Sequence, residues 1–235
     1  ATPEADASRL VMWRRAALGY RTVKHFATRG RRPSKRRAAI WRARAAFYQA
    51  AARLSPTDVA IDAGANLGEF TLHLARRGAK VHVFEPDPHP HEVLSNRFSS
   101  YSNVVIHRAA VGTAAGVTEL YRSAAFTDDP DLLSQSSSVI VTKPDLDTST
   151  AIPVDVVDFA DFIANHGPIK LLKMDIEGAE AAVLQQLLHR GLLSSIPHIF
   201  VEAHDRKIPE IRQLMHEVRE EIRTRGLGNV NLDWA

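Results

Sequence analysis

Val59-Ala60-Ile61-Asp62-Ala63-Gly64-Ala65-Asn66-Leu67-Gly68 is the stretch on which the fold turns. It opens as a short apolar run of strand length, carries an acid near the end of that run, and passes at once into two glycines. Glycine lets a backbone turn tightly and approach a ligand closely. A helix predicted over residues 66–77 begins inside the turn, so its first N–H groups are free to face whatever binds there. Strand, glycine turn and helix in that order form the opening unit of a nucleotide-binding α/β domain.

Outward from this unit the pattern repeats. Strands are predicted at residues 80–85, 104–107, 169–174, 199–202 and 230–234, with helices at 88–98, 157–165, 179–190 and 208–225 between them. Gly191 sits where a helix C-cap belongs. Between them the order loosens: strands at 119–122 and 152–156 flank a polar stretch, 123–150. Alternating strands and helices predict a mainly parallel sheet with helices on both faces. Ligands in such sheets bind beyond the carboxyl ends of the strands, where the strand order reverses.

Composition narrows the function. The 235 residues are 45% hydrophobic and 24% charged, ordinary for a globular chain, and contain no cysteine. Disulfides, thiolate metal sites and cysteine nucleophiles are therefore excluded. No apolar run approaches the length of a membrane span, and the first ten residues lack the basic-then-apolar pattern of a secretory signal. A cytoplasmic location is the expectation. The net charge of +3 conceals an asymmetry. Residues 1–53 hold fourteen Lys or Arg against Glu4 and Asp6, while the remainder is acidic. We expect a basic helical N-terminal arm over residues 1–55, broken at 30–33, in which Ile40, Phe47 and Tyr48 could pack on the body. The main domain would cover 56–235, with an insertion at about 113–156. A basic arm suits an anionic partner such as a membrane surface, nucleic acid or a polyanionic substrate; its bland reading is a docked helix with a solvated face.

The turn also narrows the ligand. Twenty-three residues after Asp62, Glu85 ends the next predicted strand, close to the offset at which an acid takes ribose hydroxyls. Dinucleotide sites space their glycines G-x-G-x-x-G, and Gly64, Asn66 and Gly68 fail that template. An acid at Asp62 suits a cationic amino acid or sulfonium better than a pyrophosphate. The alternative is a structural turn beside an unrelated glutamate.

A second motif, Lys173-Met174-Asp175-Ile176-Glu177-Gly178-Ala179-Glu180, crosses from a strand into a helix. Carboxylates at a helix N-terminus are stabilising whatever their chemistry, so Glu177 and Glu180 have a capping explanation. Asp175, at the strand tip, is the stronger functional candidate.

These residues resemble the FkbM family of methyltransferases. The likeness spans residues 57–205: the D-x-G-x-N-x-G turn, Phe84-Glu85-Pro86, Ala109-Ala110-Val111-Gly112, the K-x-D-x-E-G-x-E block and Phe200-Val201-Glu202-Ala203-His204. It implies a Rossmann-like class I methyltransferase fold that binds S-adenosyl-L-methionine and methylates oxygen, often a hydroxyl of a saccharide, glycolipid or secondary metabolite. By the same resemblance, Asp62, Gly64, Ala65, Asn66 and Gly68 would hold the amino-acid end of the cofactor, Glu85 with Pro86 the ribose, and Ala109 and Ala110 the adenine. Asp175 would face the methyl group, with Lys173 orienting it. His204, beside Glu202 at a strand tip, would be the base, since an imidazole titrates near neutrality. Asp175, Glu202 and His204 could instead hold a divalent cation.

Two features depart from the family. Its sheet usually closes with a strand hairpin, and here one strand is visible, so the closing edge would be short or come from another subunit of a homo-oligomer. The arm lies outside the likeness. Competing readings are a nucleic-acid 2′-O-methyltransferase that grips phosphates through the arm, and a non-catalytic cofactor-binding scaffold. Against the first, no RNA-binding module is recognisable.

Overall fold

The computed structural model describes residues 34–143 and 145–234. The predicted arm up to residue 33, with its break, lies outside these. Residues 39–235 form one compact unit. Helix α1 (Lys35–Ala52) is rich in alanine, the best helix former, and buries Ala43, Phe47, Ala50 and Ala51. Those positions recur along one helical face. Phe47 lies edge-on to Phe70, Phe200 and Trp234 at centroid distances of 5.4, 5.5 and 5.0 Å. Of the three expected anchors, Phe47 is wholly buried, Ile40 is half-buried and Tyr48 is exposed.

The strands are β1 (Val59–Ala63), β2 (Lys80–Phe84), β3 (Val104–His107), β4 (Ala109–Gly112), β5 (Gly116–Ser123), β6 (Leu146–Asp158), β7 (Ile169–Met174), β8 (His198–Val201) and β9 (Val230–Asn231). Six make the main sheet in the order β3-β2-β1-β7-β8-β9, and each neighbouring pair is parallel. Further helices are α2 (Glu69–Ala75), α3 (Pro88–Arg97), α4 (Phe159–His166), α5 (Glu180–His189) and α6 (Arg212–Thr224). One core joins α1, α2 and α3 to the sheet through Phe47, Leu74, Leu94 and Phe98. The other joins α4, α5 and α6 through Phe162, Leu184, Leu187 and Met215. Each such fully buried side chain contributes roughly 1.5–3 kcal/mol. Helices on both faces and a parallel sheet are the expected Rossmann-like architecture. The closing edge is short: β9 has two residues, and Trp234 packs in the core instead of extending it.

The order reverses between β1 and β7, which pair directly, so the crevice for a ligand opens at their carboxyl ends. β1 and β7 are nearly continuous apolar runs, as strands covered on both faces must be. Two caps set the helices around this edge. The Asp87 side chain accepts from His89 N ahead of Pro88 at the start of α3, and Asp158 accepts from Asp161 N at the start of α4. These follow the usual preference for Asp as a cap and Pro in the first turn.

The region between β3 and α4 differs from its expected form. β4, β6 and β5 form a separate three-stranded sheet in that order. β6 runs parallel to β4 and antiparallel to β5. The predicted strands at 119–122 and 152–156 lie within longer ones, β5 and β6, whose ends take in the two edges of the polar stretch. A single helical turn at Pro130–Leu133 and a 3₁₀ turn at Ser134–Ser136 connect β5 to β6. No described helix is long and apolar enough to cross a membrane.

Candidate active site

The glycine turn is held from both sides. Gly64 N and Ala65 N donate to Phe84 O at the end of β2, at 2.9 and 3.1 Å. Gly64 has φ +73°, and a Cβ there would stand 1.7 Å from the carbonyl oxygen of Asp175. That contact joins the first motif to the second, and only glycine permits it. Gly68 has φ +76°, with Leu94 and Phe98 filling the space of any side chain.

Glu85 lies just past β2. Its Oε2 accepts from Asn66 N at 2.8 Å and its Oε1 from Asp87 N at 3.0 Å. Burial pushes its pKa up to about 7, against those two N–H groups. Each carboxylate oxygen keeps a lone pair for a further donor, which suits ribose hydroxyls.

Asp62 is placed differently from expectation. The sequence reading sets it against the amino-acid end of the cofactor, but the structure buries it completely. Thr71 Oγ1 donates to its Oδ2 at 2.6 Å, and Lys173 Nζ lies 3.2 Å from its Oδ1. It braces the turn from behind. Lys173 likewise belongs to this brace more than to Asp175. Its Nζ donates to Gly64 O at 2.6 Å and stays 3.8 Å from Asp175 Oδ2. Burial would lower its pKa, but the carboxylates of Asp62 and Asp175 reverse that and hold it above the ordinary lysine value. Lys173 is a positioning residue, since its register partner across the sheet is Asp62 itself.

Ala109 and Ala110 lie in β4, which pairs with β6, and their side chains are buried. The open surface nearby is a cleft of about 350 Å³ lined by Pro86, Arg108, Val117, Pro153, Val154 and Asp155. It adjoins the ribose candidate Glu85 through Pro86.

The second motif builds a charged cluster. His204 is 1% exposed, and its Nδ1 lies 2.9 Å from Glu180 Oε1. Around its Nε2 stand Glu177 Oε2 at 3.1 Å, Glu202 Oε1 at 3.6 Å and Asp175 Oδ1 at 3.9 Å. The structure brings Asp175, Glu202 and His204 together. The expectation that His204 titrates near neutrality fails. Burial alone would depress it, but the carboxylates of Glu177 and Glu180 outweigh burial and raise it to about 10. An imidazole so held is a cation, not a free base. Asp175 is pushed up to about 7 by burial, with Glu202 and Glu177 adding to that against Lys173 and His204. Glu177, despite burial, is pulled down to about 2 by His204 and Lys143.

Glu180, which capping alone would explain, does more. Its Oε1 accepts from Ile176 N, Gly178 N and His204, and its Oε2 from Gly178 N. It therefore fixes the 176–178 loop and the imidazole together. Glu177 has φ +54°, in the sparsely populated left-handed region where functional residues are often held.

Sequence reasoning also missed how the β5–β6 region grips both motifs. Arg122 forms a two-pronged pair with buried Asp87, at 3.0 and 2.6 Å, and Ser137 Oγ donates to the same carboxylate. Asn66 Nδ2 donates to Ser134 Oγ at 2.8 Å. On the other side Ser138 Oγ donates to Glu177 O, and Lys143 Nζ to Glu177 Oε2. Only Asp87-Pro88 carried a local signal, that of a helix cap.

Comparison with known proteins agrees with this geometry. The model of the methyltransferase FkbM domain matches residues 62–228, from the first carboxylate to past α6. The chain belongs to the FkbM methyltransferase family. One FkbM relative, the 31-O-demethyl-FK506 methyltransferase FkbM of Streptomyces tacrolimicus, is 31% identical over 201 residues, covering 71% of this chain and 67% of that protein. Another, methyltransferase sdnD of Sordaria araneosa, is 29% identical over 160 residues, covering 57% and 62%. The chain thus spans about two thirds or less of these relatives. Among solved structures, an rRNA methylase from Streptococcus thermophilus aligns at TM-score 0.41 and 11% identity, over 73% of this chain and 76% of its own. FkbM membership implies methyl transfer, with S-adenosylmethionine as the donor.

Proposed function

We propose that this FkbM-family chain is an S-adenosylmethionine-dependent O-methyltransferase acting on a hydroxyl of a saccharide, glycolipid or secondary metabolite. The observation that carries this is the contact between Gly64 and the Asp175 carbonyl, which sets the glycine turn directly against the charged cluster. The name of the Streptomyces tacrolimicus relative, which specifies an O-demethyl compound, supports oxygen as the acceptor.

The residues fit the donor. Glu85 offers two buried lone pairs to the ribose hydroxyls, and Gly64, whose missing side chain makes room for the Asp175 carbonyl, keeps the turn tight against the second motif. When bound, S-adenosylmethionine supplies an electrophilic methyl carbon: a C–O bond forms as the C–S bond breaks, with its electron pair passing to sulfur. Asp62 and Lys173 hold the turn rigid from beneath. Asp175, partly exposed at the tip of β7, borders the acceptor side, and the carboxylates there receive the hydroxyl proton. Fixing both partners in line can remove on the order of 7 kcal/mol or more of the barrier. The β5–β6 region, latched to Asn66 and to Glu177, excludes water and shapes the acceptor pocket.

In the same reading the basic N-terminal residues ahead of the compact unit 39–235 meet an anionic surface, and that unit, which takes in the greater part of α1, is the transferase domain. The test is calorimetric titration with S-adenosylmethionine, followed by mass detection of methyl transfer to a panel of saccharide, glycolipid and polyketide hydroxyls. Failure of the donor to bind, or binding undiminished in Glu85→Ala, would falsify the assignment.

A further inference from the structure

The second cluster carries more negative charge than methyl transfer alone explains. Four carboxylates, those of Asp175, Glu177, Glu180 and Glu202, surround one imidazole, with Lys173 beside Asp175 and Lys143 beside Glu177. His204 Nε2 is buried and has no hydrogen-bond partner, although it points among three of those carboxylates. Glu177 Oε2 meets it as an ion-pair contact at 3.1 Å. Asp175 Oδ1, on the facing side, is likewise buried and unpartnered. Two orphaned polar atoms facing each other inside an acidic cluster require a common partner, because an unsatisfied buried polar atom costs roughly 1–3 kcal/mol.

We propose that this cluster binds one divalent cation of the manganese class, held by His204 Nε2 and Asp175, with Glu177 and Glu202 as further oxygen donors. In an octahedral shell with bonds of about 2.1 Å, adjacent donors lie about 3.0 Å apart and opposite donors about 4.2 Å apart. The three oxygens lie 3.1, 3.6 and 3.9 Å from Nε2, inside that span. Glu180 takes the outer role. Its oxygens are filled by loop N–H groups, and its bond to Nδ1 orients the imidazole so that a cation takes the place of the Nε2 proton. One imidazole among carboxylates favours manganese over magnesium, which prefers an all-oxygen shell. Asp175, Glu177 and Glu202 are each partly exposed, so the cation can enter from the acceptor side. There it would polarise the acceptor hydroxyl, a role that rests on the methyltransferase reading; the binding itself does not.

The test is titration of the chelator-stripped full chain with manganese chloride. Free Mn(II) is followed by electron paramagnetic resonance and heat by calorimetry, and S-adenosylmethionine is titrated in parallel. One saturable manganese site per chain is expected. His204→Gln and Asp175→Asn should raise its Kd at least about 100-fold, and Glu180→Gln roughly 10–100-fold. Since buried variants can misfold, Glu202→Gln, on a partly exposed side chain, provides a second arm with an expected tenfold weakening. No saturable site in the wild type, or unchanged affinity in both Asp175→Asn and Glu202→Gln, overturns the proposal. A wild-type chain that binds S-adenosylmethionine but no manganese sinks the cation alone; one that binds manganese but no S-adenosylmethionine sinks the functional reading and leaves the cation standing.

Discussion

The carboxyl ends of β1 and β2 and those of β7 and β8 lie side by side at one crevice, yet they treat their carboxylates in opposite ways. At the first pair each acid meets a donor or a counter-charge: Asp62 accepts from Thr71 and has the Lys173 ammonium 3.2 Å from its Oδ1, which takes no hydrogen bond, and Glu85 accepts from two backbone N–H groups. At the second, acids face one another across an imidazole, and two polar atoms go without a hydrogen bond. A matched site is rigid and sets a shape. A site of unmatched charge stores interaction energy for a ligand or a reacting group, which is why perturbed groups concentrate where chemistry occurs.

Four changes probe that division. The largest effect should come from Asp175→Ala. Transfer should fall at least about 10³-fold while S-adenosylmethionine binding persists, because loss of a group beside the reacting centre is felt mainly in the transition state. If donor affinity collapses as well, the two ends do not divide the work. Next is Lys173→Met, which leaves Asp62 buried without its counter-charge. Unfolding in urea should show a loss of about 3–5 kcal/mol, and a loss below 1 kcal/mol would remove the bracing role.

Glu85→Ala should weaken donor binding about 10–100-fold, the net cost of two ordinary hydrogen bonds at roughly 0.5–1.5 kcal/mol each. Its protonation gives the sharper signature. The folded protein holds the proton up to about pH 7, whereas the unfolded chain releases it near the ordinary glutamate value of 4.5. The folded state therefore binds more protons in that window. This contribution to stability is full below 4.5 and is lost as the pH rises through 7. Donor affinity should run the other way, tightening from pH 6 to pH 8 as the carboxylate forms. Glu85→Gln should flatten both profiles in calorimetry and thermal melts. The smallest effect is expected from Ser134→Ala, which removes the latch on Asn66. A rise of about threefold in the donor's KM with kcat nearly unchanged would place the latch on the donor side of the division; a change confined to kcat would move it to the acceptor side.

Much of the frame was legible because its signals are local. β1, β2, β3 and β7 stand within a residue of their predicted bounds, since buried parallel strands are short apolar runs bounded by glycine and proline. The β5–β6 sheet was not. β6 spans Asp147, Thr148, Ser149 and Thr150, mostly exposed and polar, so neither alternation nor an apolar run marks it as strand. The site divides similarly. Asp175, Glu202 and His204 are each at or just past strand ends, and strand ends converge in this fold. Asp87, Arg122, Ser134 and Lys143 meet their partners across 35, 35, 68 and 34 residues, a separation at which sequence alone holds no pairing information.

Sequence by itself determined the family, the parallel sheet, and the two strand tips at which acids gather, because each depends on residue types at fixed short spacing. Tertiary structure alone decided which acids are struts and which are exposed to chemistry. Asp62 and Asp175 both sit at a strand tip, but Lys173 and Thr71 close around the first, while the second is left facing Glu202 and His204. That difference comes from side chains packed across neighbouring strands and loops, where burial and the nearest counter-charge, not residue type, set the state of a carboxylate.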